Sequence, residues 1–134
     1  MFEIAVIIIN YNSSQLTQEC LNSIIDKTAR EIKYQIIVVD NCSEAADYLL
    51  LKQFCDAHTF KNLQLIRSKI NTGFGGGNMI GFHFASANYI AFINNDTLFL
   101  NDCLSLLKSA IEKDNTIAVV GGQSYTENGK KMIA

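Results

Sequence analysis

The chain has 134 residues, with 11 basic and 13 acidic side chains and a formal net charge of −2. This length is typical of one domain that buries about two thirds of the surface exposed by its unfolded form. The near balance of charge, without a run of like charges, argues against a surface that binds nucleic acid or an anionic membrane.

The four cysteines stand far apart without the spacing of a zinc site, and they are typical of small apolar residues in a reducing compartment. The first apolar run, residues 4–9, is too short for a signal peptide or a membrane span. We therefore expect a cytoplasmic protein, either free or at the cytoplasmic face of a membrane.

Short apolar runs alternate with helical patterns along the chain. Strands are predicted at residues 4–9, 34–39, 63–66, 89–93 and 117–120, and helices at about 16–25, 45–58, 76–87 and 102–113. Strands joined by helical crossovers form a parallel sheet, because a tight turn cannot reach a parallel neighbour. The sequence therefore predicts one α/β domain over residues 1–134, with a Rossmann-like, mostly parallel sheet and helices on both faces.

The apolar spacing also predicts which side of each helix is buried. Asn12 or Ser13 can cap the first helix, and Asn101 or Asp102 can cap the fourth. The residues predicted to face inward are Leu16, Cys20, Leu21, Ile24 and Ile25 in the first helix and Leu49, Leu50 and Phe54 in the second.

Polar side chains follow three of the predicted strands directly. Asn10-Tyr11-Asn12 follows the first strand, Asp40-Asn41 the second and Asn94-Asn95-Asp96 the fourth. In open α/β sheets, ligands bind just beyond the carboxyl ends of the strands, and parallel strands bring these ends to one rim. We therefore expect these groups to form a ligand site.

A glycine-rich loop, Asn71-Thr-Gly-Phe-Gly-Gly-Gly-Asn78, precedes the third helix. Its glycines let the backbone approach a phosphate at the helix start; alternatively, they only permit close packing of the helix on a strand. The loop fits part of a dinucleotide-binding fingerprint, but position 78 is Asn and two strand-helix units precede it. Because the fit is only partial, a dinucleotide-dependent oxidoreductase is kept as an alternative and not as the main prediction.

Asp96 follows the fourth strand without a basic neighbour in sequence. Such a carboxylate suits a divalent cation that keeps several waters and shares its ligands with a diphosphate. Taken alone, it is better explained by a strand end that turns into a capped loop.

Further evidence comes from five segments in a characteristic order. They are Val6-Ile-Ile-Ile-Asn-Tyr-Asn12, Ile37-Val-Val-Asp-Asn-Cys-Ser43, Asn71-Thr-Gly-Phe-Gly-Gly-Gly-Asn78, Phe92-Ile-Asn-Asn-Asp-Thr97 and Ala118-Val-Val-Gly-Gly122. Together they resemble the ordered motifs of the family 2 glycosyltransferases, most closely those of bacterial rhamnosyltransferase-like members. The resemblance runs from Phe2 to about Tyr125, and five ordered motifs are far more specific than any one of them.

The resemblance implies a GT-A fold and an inverting transferase that moves a sugar from UDP or dTDP to a glycan or lipid-linked acceptor, as in polysaccharide biosynthesis. It matches Asp40 to a carboxylate that accepts from the ring N–H of uracil or thymine. It matches Asn94 to Asp96 to the family's D-x-D motif, in which the first residue contacts ribose and the last binds Mg²⁺ or Mn²⁺. The residues implied in nucleotide binding are Ile9, Asn10, Tyr11, Asp40, Asn71, Gly73, Asn94 and Asn95, with Asp96 as the metal ligand.

Two departures from the family pattern matter. Asn94 replaces the first carboxylate of the motif, which removes one negative charge from the metal site. The family also has a second half that binds the acceptor and supplies an Asp or Glu base, and no residue here matches that base. We therefore expect a nucleotide-sugar-binding portion without the acceptor half, and a non-catalytic nucleotide-binding module stays an alternative. An uncovered strand at residues 117–120 would favour a homodimer.

Overall fold

The computed structural model describes residues 1–126 and 128–132. Within these residues, no helix is long and apolar enough to cross a membrane. The third helix begins at Gly73 rather than near residue 76, so the glycines of the predicted loop form its first turn. The elements are β1 (Phe2–Asn10), α1 (Ser14–Lys27), β2 (Tyr34–Asp40), α2 (Ala45–Ala57), β3 (Leu63–Arg67), α3 (Gly73–Phe84), β4 (Ala87–Asn94) and α4 (Cys103–Ile111).

The four strands form one parallel sheet in the order β3-β2-β1-β4. Asn10 pairs with Asp40 across β1 and β2, and Ile9 pairs with Asn94 across β1 and β4. The carboxyl ends of these three strands therefore meet at one rim, as the polar residues after each strand predicted. The predicted parallel α/β architecture is confirmed.

The two faces of the sheet are covered by different helices. On one face, alternate residues of β1 pack with buried residues of α1, α2 and α4 to form the main core. On the opposite face, α3 packs against β1 and β2. A Cβ at Gly81 would stand 2.5 Å from Ile7 Cγ2, and one at Gly77 would stand 3.1 Å from Ile9 Cδ1. These two glycines therefore let α3 lie directly on the sheet.

The predicted inward faces of α1 and α2 are confirmed at Cys20, Leu21, Ile24, Ile25 and Phe54, and they are wrong at three leucines. Leu16 is 46% exposed, and the neighbouring Thr17 is buried. Thr17 can be buried because its hydroxyl donates a hydrogen bond to the end of β1. In α2, Leu51 is buried while Leu49 and Leu50 are exposed. Phe54 packs against the core as predicted, so the prediction for α2 was wrong at Leu49 and Leu50 only. Leu51 faces inward instead, since successive residues of a helix differ in direction by about 100°.

The C-terminal part of the chain also departs from the prediction. Asp102 caps α4 by accepting a hydrogen bond from the Ser105 N–H, as predicted. The strand predicted at residues 117–120 is wrong: Val119 is 84% exposed, and the outer edge of β4 is unpaired within the described residues. A strand needs hydrogen bonds to a neighbour, so an apolar run without one does not form a strand. Further on, Tyr125 and Lys131 form an isolated antiparallel bridge.

Candidate functional site

A cavity of about 410 Å³ lies at the rim where the carboxyl ends of β1, β2 and β4 meet. Most of the predicted site residues line this cavity, and Asn10 and Asp40 do not. Ser13, Asn41 and Phe74 line it as well, although none of them is among the residues that the resemblance implied in nucleotide binding. The complete lining is Ile9, Tyr11, Ser13, Asn41, Asn71, Gly73, Phe74, Asn94, Asn95 and Asp96.

Asn10 and Asp40 lie beneath the cavity, and both are fully buried. The Asn10 amide N–H donates to Asp40 Oδ1 at 3.1 Å. The other carboxylate oxygen accepts from the Ser43 N–H at 3.3 Å and stands 3.5 Å from Arg67 Nε. Both oxygens of the Asp40 carboxylate are thus engaged by protein groups, and the residue does not line the cavity. The base contact that the family resemblance implied for Asp40 stays a prediction.

Asn41, the next residue, lies on the cavity wall and holds the glycine-rich segment in place. Its amide oxygen accepts from both the N–H and the hydroxyl of Thr72 at 3.0 Å. Its amide N–H groups donate to Asn71 Oδ1 at 3.0 Å and to the Gly73 carbonyl at 3.1 Å. Asn41 therefore couples the end of β2 to the start of α3. The pair Asp40-Asn41 at a strand end was the only sequence signal for this role.

The start of α3 forms the second wall of the cavity. Gly73 has a φ of +70°, a left-handed conformation in which a Cβ would be strained. The Asn71 side chain accepts a hydrogen bond from the Gly73 N–H at 2.9 Å, which stabilises this turn. Phe74 follows directly and is 62% exposed, so its ring is free to contact a ligand.

The Asn94–Asp96 turn forms the third wall. The Thr97 N–H donates to the Asn94 carbonyl at 3.1 Å and closes the turn. The Asn95 amide donates to the hydroxyls of Ser13 and Thr17, whereas the Asp96 side chain is exposed to the cavity.

The buried Cys20 thiol lies close to the carbonyl of Asn94 at the start of this turn. Cys20 Sγ is 3.7 Å from the Asn94 carbonyl oxygen. Burial, with a smaller contribution from the charge of Asp96, raises the pKa of Cys20 to about 12. The thiol is therefore protonated near neutral pH, and it serves neither as a nucleophile nor as a metal ligand.

Asp47 of α2 supports the site from below, although it was not predicted. Its carboxylate accepts from the Ser14 N–H and from the Asn10 amide, both at 2.9 Å. Burial alone would raise the pKa of Asp47, but these hydrogen bonds outweigh it and hold the pKa below its usual range. Asp47 thus caps α1, whose own residues Asn12 and Ser13 were expected to do so; Ser13 makes no capping hydrogen bond. No local signal reveals a cap supplied 33 residues away.

The residues on the wall fit a hard divalent cation rather than a soft one. The described residues contain no group of three or more His, Cys, Asp or Glu side chains that could enclose a metal. Asp96 instead stands beside the amides of Asn94 and Asn95 on the cavity wall. One carboxylate with neutral oxygens suits Mg²⁺ or Mn²⁺, which keep waters and share phosphate ligands, and it does not suit a structural zinc site.

Comparison with known proteins places this geometry in a family. The family model for glycosyl transferase family 2 matches residues 5–132, so the chain belongs to that family. A poly(ribitol-phosphate) beta-glucosyltransferase of Bacillus spizizenii is 28% identical over 129 residues, which cover 96% of this chain and 20% of the relative. The glycosyltransferase GlyA of Streptococcus pneumoniae is 29% identical over 94% of this chain and 18% of its own length. The chain thus spans about a fifth of the length of these relatives.

Solved structures share the fold. S. aureus TarS residues 1–349 in complex with UDP superpose with a TM-score of 0.69 at 20% identity, over 83% of this chain and 32% of that one. The mannosyltransferase PcManGT of Pyrobaculum calidifontis, in complex with GDP-Man and Mn²⁺, gives a TM-score of 0.74 at 20% identity, over 87% and 34%. The fold is therefore that of the GT-A glycosyltransferases.

Proposed function

We propose that the chain binds the nucleotide-sugar donor of an inverting glycosyltransferase, as the donor portion of that enzyme. The observation that carries this proposal is a single cavity that combines exposed aromatic rings with an exposed carboxylate among amides. Support comes from family membership and from structures with the same fold that hold UDP, UDP-GlcNAc or GDP-Man.

The nucleobase is proposed to lie against Tyr11 and Phe74. Tyr11 is 51% exposed and Phe74 is 62% exposed, and both line the cavity with the apolar Ile9. Stacking of a base on an aromatic ring contributes about 1 to 3 kcal/mol. We keep a uracil or thymine nucleotide as the proposed donor. Because Asp40 is buried and the Asn41 amide is fully engaged, the choice of base is proposed to rest on the exposed side chain of Asn71 rather than on that carboxylate.

The diphosphate is proposed to lie near Asp96, with Asn94 at the ribose. Asp96 would hold Mg²⁺ or Mn²⁺ through its carboxylate, and the Asn95 amide stands beside it. A divalent cation at this place would neutralise the charge that develops on the departing diphosphate.

The acceptor end of the reaction lies outside the site described above. We propose a glycan or lipid-linked acceptor and a bacterial, cytoplasmic setting at or away from a membrane face, on the strength of the resemblance alone. No residue of the cavity is placed as the base that would deprotonate an acceptor hydroxyl. A second candidate function, a module that binds a nucleoside diphosphate without turnover, uses the same cavity and is therefore kept. Family membership removes the reason to keep an oxidoreductase.

Thermal unfolding with a ligand panel tests the proposal, because a ligand of the native state raises its melting temperature. UDP, dTDP, GDP and NAD(H) are compared at equal concentration, with and without Mn²⁺. We expect the largest stabilisation from UDP or dTDP with Mn²⁺. Stabilisation by NAD(H) alone would contradict the proposal. Release of UDP from UDP-sugars in the presence of glycan acceptors then separates a transferase from a binding module.

We also propose that the protein forms a homodimer through the β4 edge of the sheet. The edge strand β4 carries no charged residue and no proline, whereas the other edge strand, β3, is short and ends at Arg67. Uncharged, unpaired edges favour pairing with another chain. Phe92 of β4 is 51% exposed. Light scattering at micromolar concentration should give a dimer that Phe92→Asp dissociates, and a monomeric wild type would contradict this.

A further inference from the structure

A chain of buried and partly buried hydrogen bonds lies directly beneath the Asn94–Asp96 turn. It connects four separate elements: the turn, α1, the end of β1 and α2. The distances are 2.8 Å from Asn95 Nδ2 to Ser13 Oγ, 3.0 Å from Asn95 Nδ2 to Thr17 Oγ1, 2.7 Å from Thr17 Oγ1 to Asn10 Oδ1 and 2.9 Å from Asn10 Nδ2 to Asp47 Oδ2.

The carboxylate at the end sets the direction of this chain. An ionised Asp47 only accepts hydrogen bonds, so Asn10 presents its NH₂ group to Asp47 and its amide oxygen to Thr17. The buried Asp40 accepts from the same NH₂ group and favours the same orientation. Thr17 therefore donates its single hydroxyl proton to Asn10 at 2.7 Å, in preference to the more distant Ser13 carbonyl at 3.3 Å. Towards Asn95, the Thr17 hydroxyl can act only as an acceptor.

Ser13 imposes the same orientation on Asn95 independently. The Ser13 hydroxyl donates to the Tyr11 carbonyl at 3.1 Å, so it too accepts from Asn95. The two hydroxyls bind the NH₂ group of Asn95, which leaves the amide oxygen on the other side of the side chain. Asn95 lines the cavity, and its amide oxygen accepts no hydrogen bond from the residues that the structure describes.

We propose that Asp47, Asn10 and Thr17 are positioning residues that hold the Asn95 amide with its oxygen open to the cavity beside Asp96. This rests on the proposed function, since the oxygen would serve the bound cation directly or through one of its waters. The orientation matters electrostatically. The reversed amide would present N–H groups, which repel a cation, next to the one carboxylate of the site.

Thr17→Val tests the proposal because it removes the hydroxyl and keeps the shape of the side chain. Thr28→Val is the matched control: Thr28 is also buried, at the C-terminal end of α1, and its hydroxyl donates to the Ile24 carbonyl. The two sites are separated by about 16 Å along the helix at about 1.5 Å per residue. UDP affinity is measured by calorimetry with and without Mn²⁺. Thr17→Val should reduce the gain in affinity from Mn²⁺ on the order of tenfold, and Thr28→Val by less than about twofold.

A double-mutant cycle distinguishes positioning from general support of the fold. If Thr17 acts through Asn95, then Thr17→Val has no further effect on the Mn²⁺-dependent gain once Asn95→Ala is present. An equal loss in both backgrounds would show that Thr17 acts in another way. An unchanged gain in Thr17→Val itself would also overturn the proposal.

A measurement without ligand tests the orientation of the Asn95 amide separately from its proposed role in binding. In the free protein, Thr17→Val should shift the side-chain ¹⁵N–¹H resonances of Asn95 and speed their exchange with water, whereas Thr28→Val should leave them in place. Unchanged Asn95 resonances in Thr17→Val would overturn the proposed relay. A wild type that binds no UDP under any condition would instead overturn the proposed function and with it the ligand role of Asn95.

Discussion

The cavity wall and the layer of side chains beneath it contain the same residue types in opposite situations. The support layer is formed by Asn10, Thr17, Asp40 and Asp47, whose polar groups are engaged by one another and by neighbouring residues. The wall carries Tyr11, Phe74, Asn94, Asn95 and Asp96, which are wholly or partly exposed. A saturated amide or carboxylate holds structure in place, whereas one that faces solvent has capacity left for a ligand.

The difference arises within a single step along the chain. At the end of β1, Asn10 is buried and Tyr11 is exposed, and at the end of β2, Asp40 lies below the cavity while Asn41 lines it. Successive residues of a strand point to opposite sides, so neighbouring polar residues at a strand end are sent to different layers. Residue type alone therefore does not tell a ligand-binding carboxylate from a supporting one.

The largest effect on the wall is expected for Asp96→Ala. It removes the single carboxylate of the proposed metal site. Loss of a residue that only supports a metal ligand costs about 10- to 100-fold, so the Mn²⁺-dependent part of UDP affinity should fall further than that. The melting temperature should stay unchanged, because Asp96 is exposed. Calorimetry with Asp26→Ala as the control for an exposed carboxylate checks this. An unaltered Mn²⁺ effect would remove Asp96 from the site.

The corresponding change in the support layer is Asp40→Asn, which should act on stability instead. The new amide has one acceptor oxygen in place of two, so its NH₂ group meets either the Asn10 NH₂ or the Ser43 N–H, and Arg67 is left without its counter-ion. We expect a loss of about 2 kcal/mol in the free energy of unfolding, measured in urea. UDP and GDP affinities should change by the same factor. Selective weakening of UDP would show that Asp40 does reach the base, as the family resemblance implied.

A smaller effect is expected for the aromatic wall. Tyr11→Ala should weaken UDP binding by about 1 kcal/mol, since a half-exposed ring stacks from one side only. Tyr125→Ala is the matched control, because Tyr125 is equally exposed at 51% and lies outside the cavity lining. Equal UDP affinities for the wild type, Tyr11→Ala and Tyr125→Ala would show that the nucleobase does not stack on Tyr11.

The smallest effect concerns the pH dependence of stability. The pKa of Asp47 is held below its usual value in the folded protein, so the unfolded chain binds more protons in that range. The contribution of ionised Asp47 to the free energy of unfolding is fully present above the pKa of the unfolded chain, near 3.8. It is lost as the pH falls through the lower pKa of the folded protein. Asp47→Asn should therefore flatten the acid side of the stability profile. Parallel profiles for the wild type and the variant would show that Asp47 does not titrate in this way.

The order of the elements, the parallel sheet and the rim with its polar strand ends follow from the sequence alone. Alternation of buried strands with amphipathic helices leaves few other arrangements, because parallel strands require crossovers. For the same reason the sequence places Tyr11 and Asp96 at one rim, whereas Asn71 was implied by the family resemblance. Asp102 could be recognised as a cap, since it acts on a residue only three positions away.

The tertiary structure decided what depends on distant partners. It buried Thr17 and Asp40 through hydrogen bonds to Asn10 and capped α1 with Asp47 from another helix. Among the residues that the structure describes, it left 117–120 outside the sheet. The two burials and the cap each depend on a group that lies 7 to 33 positions away in the sequence. The periodicity of the sequence predicts the direction of a side chain relative to its own helix or strand. Which group that side chain contacts is decided by tertiary packing.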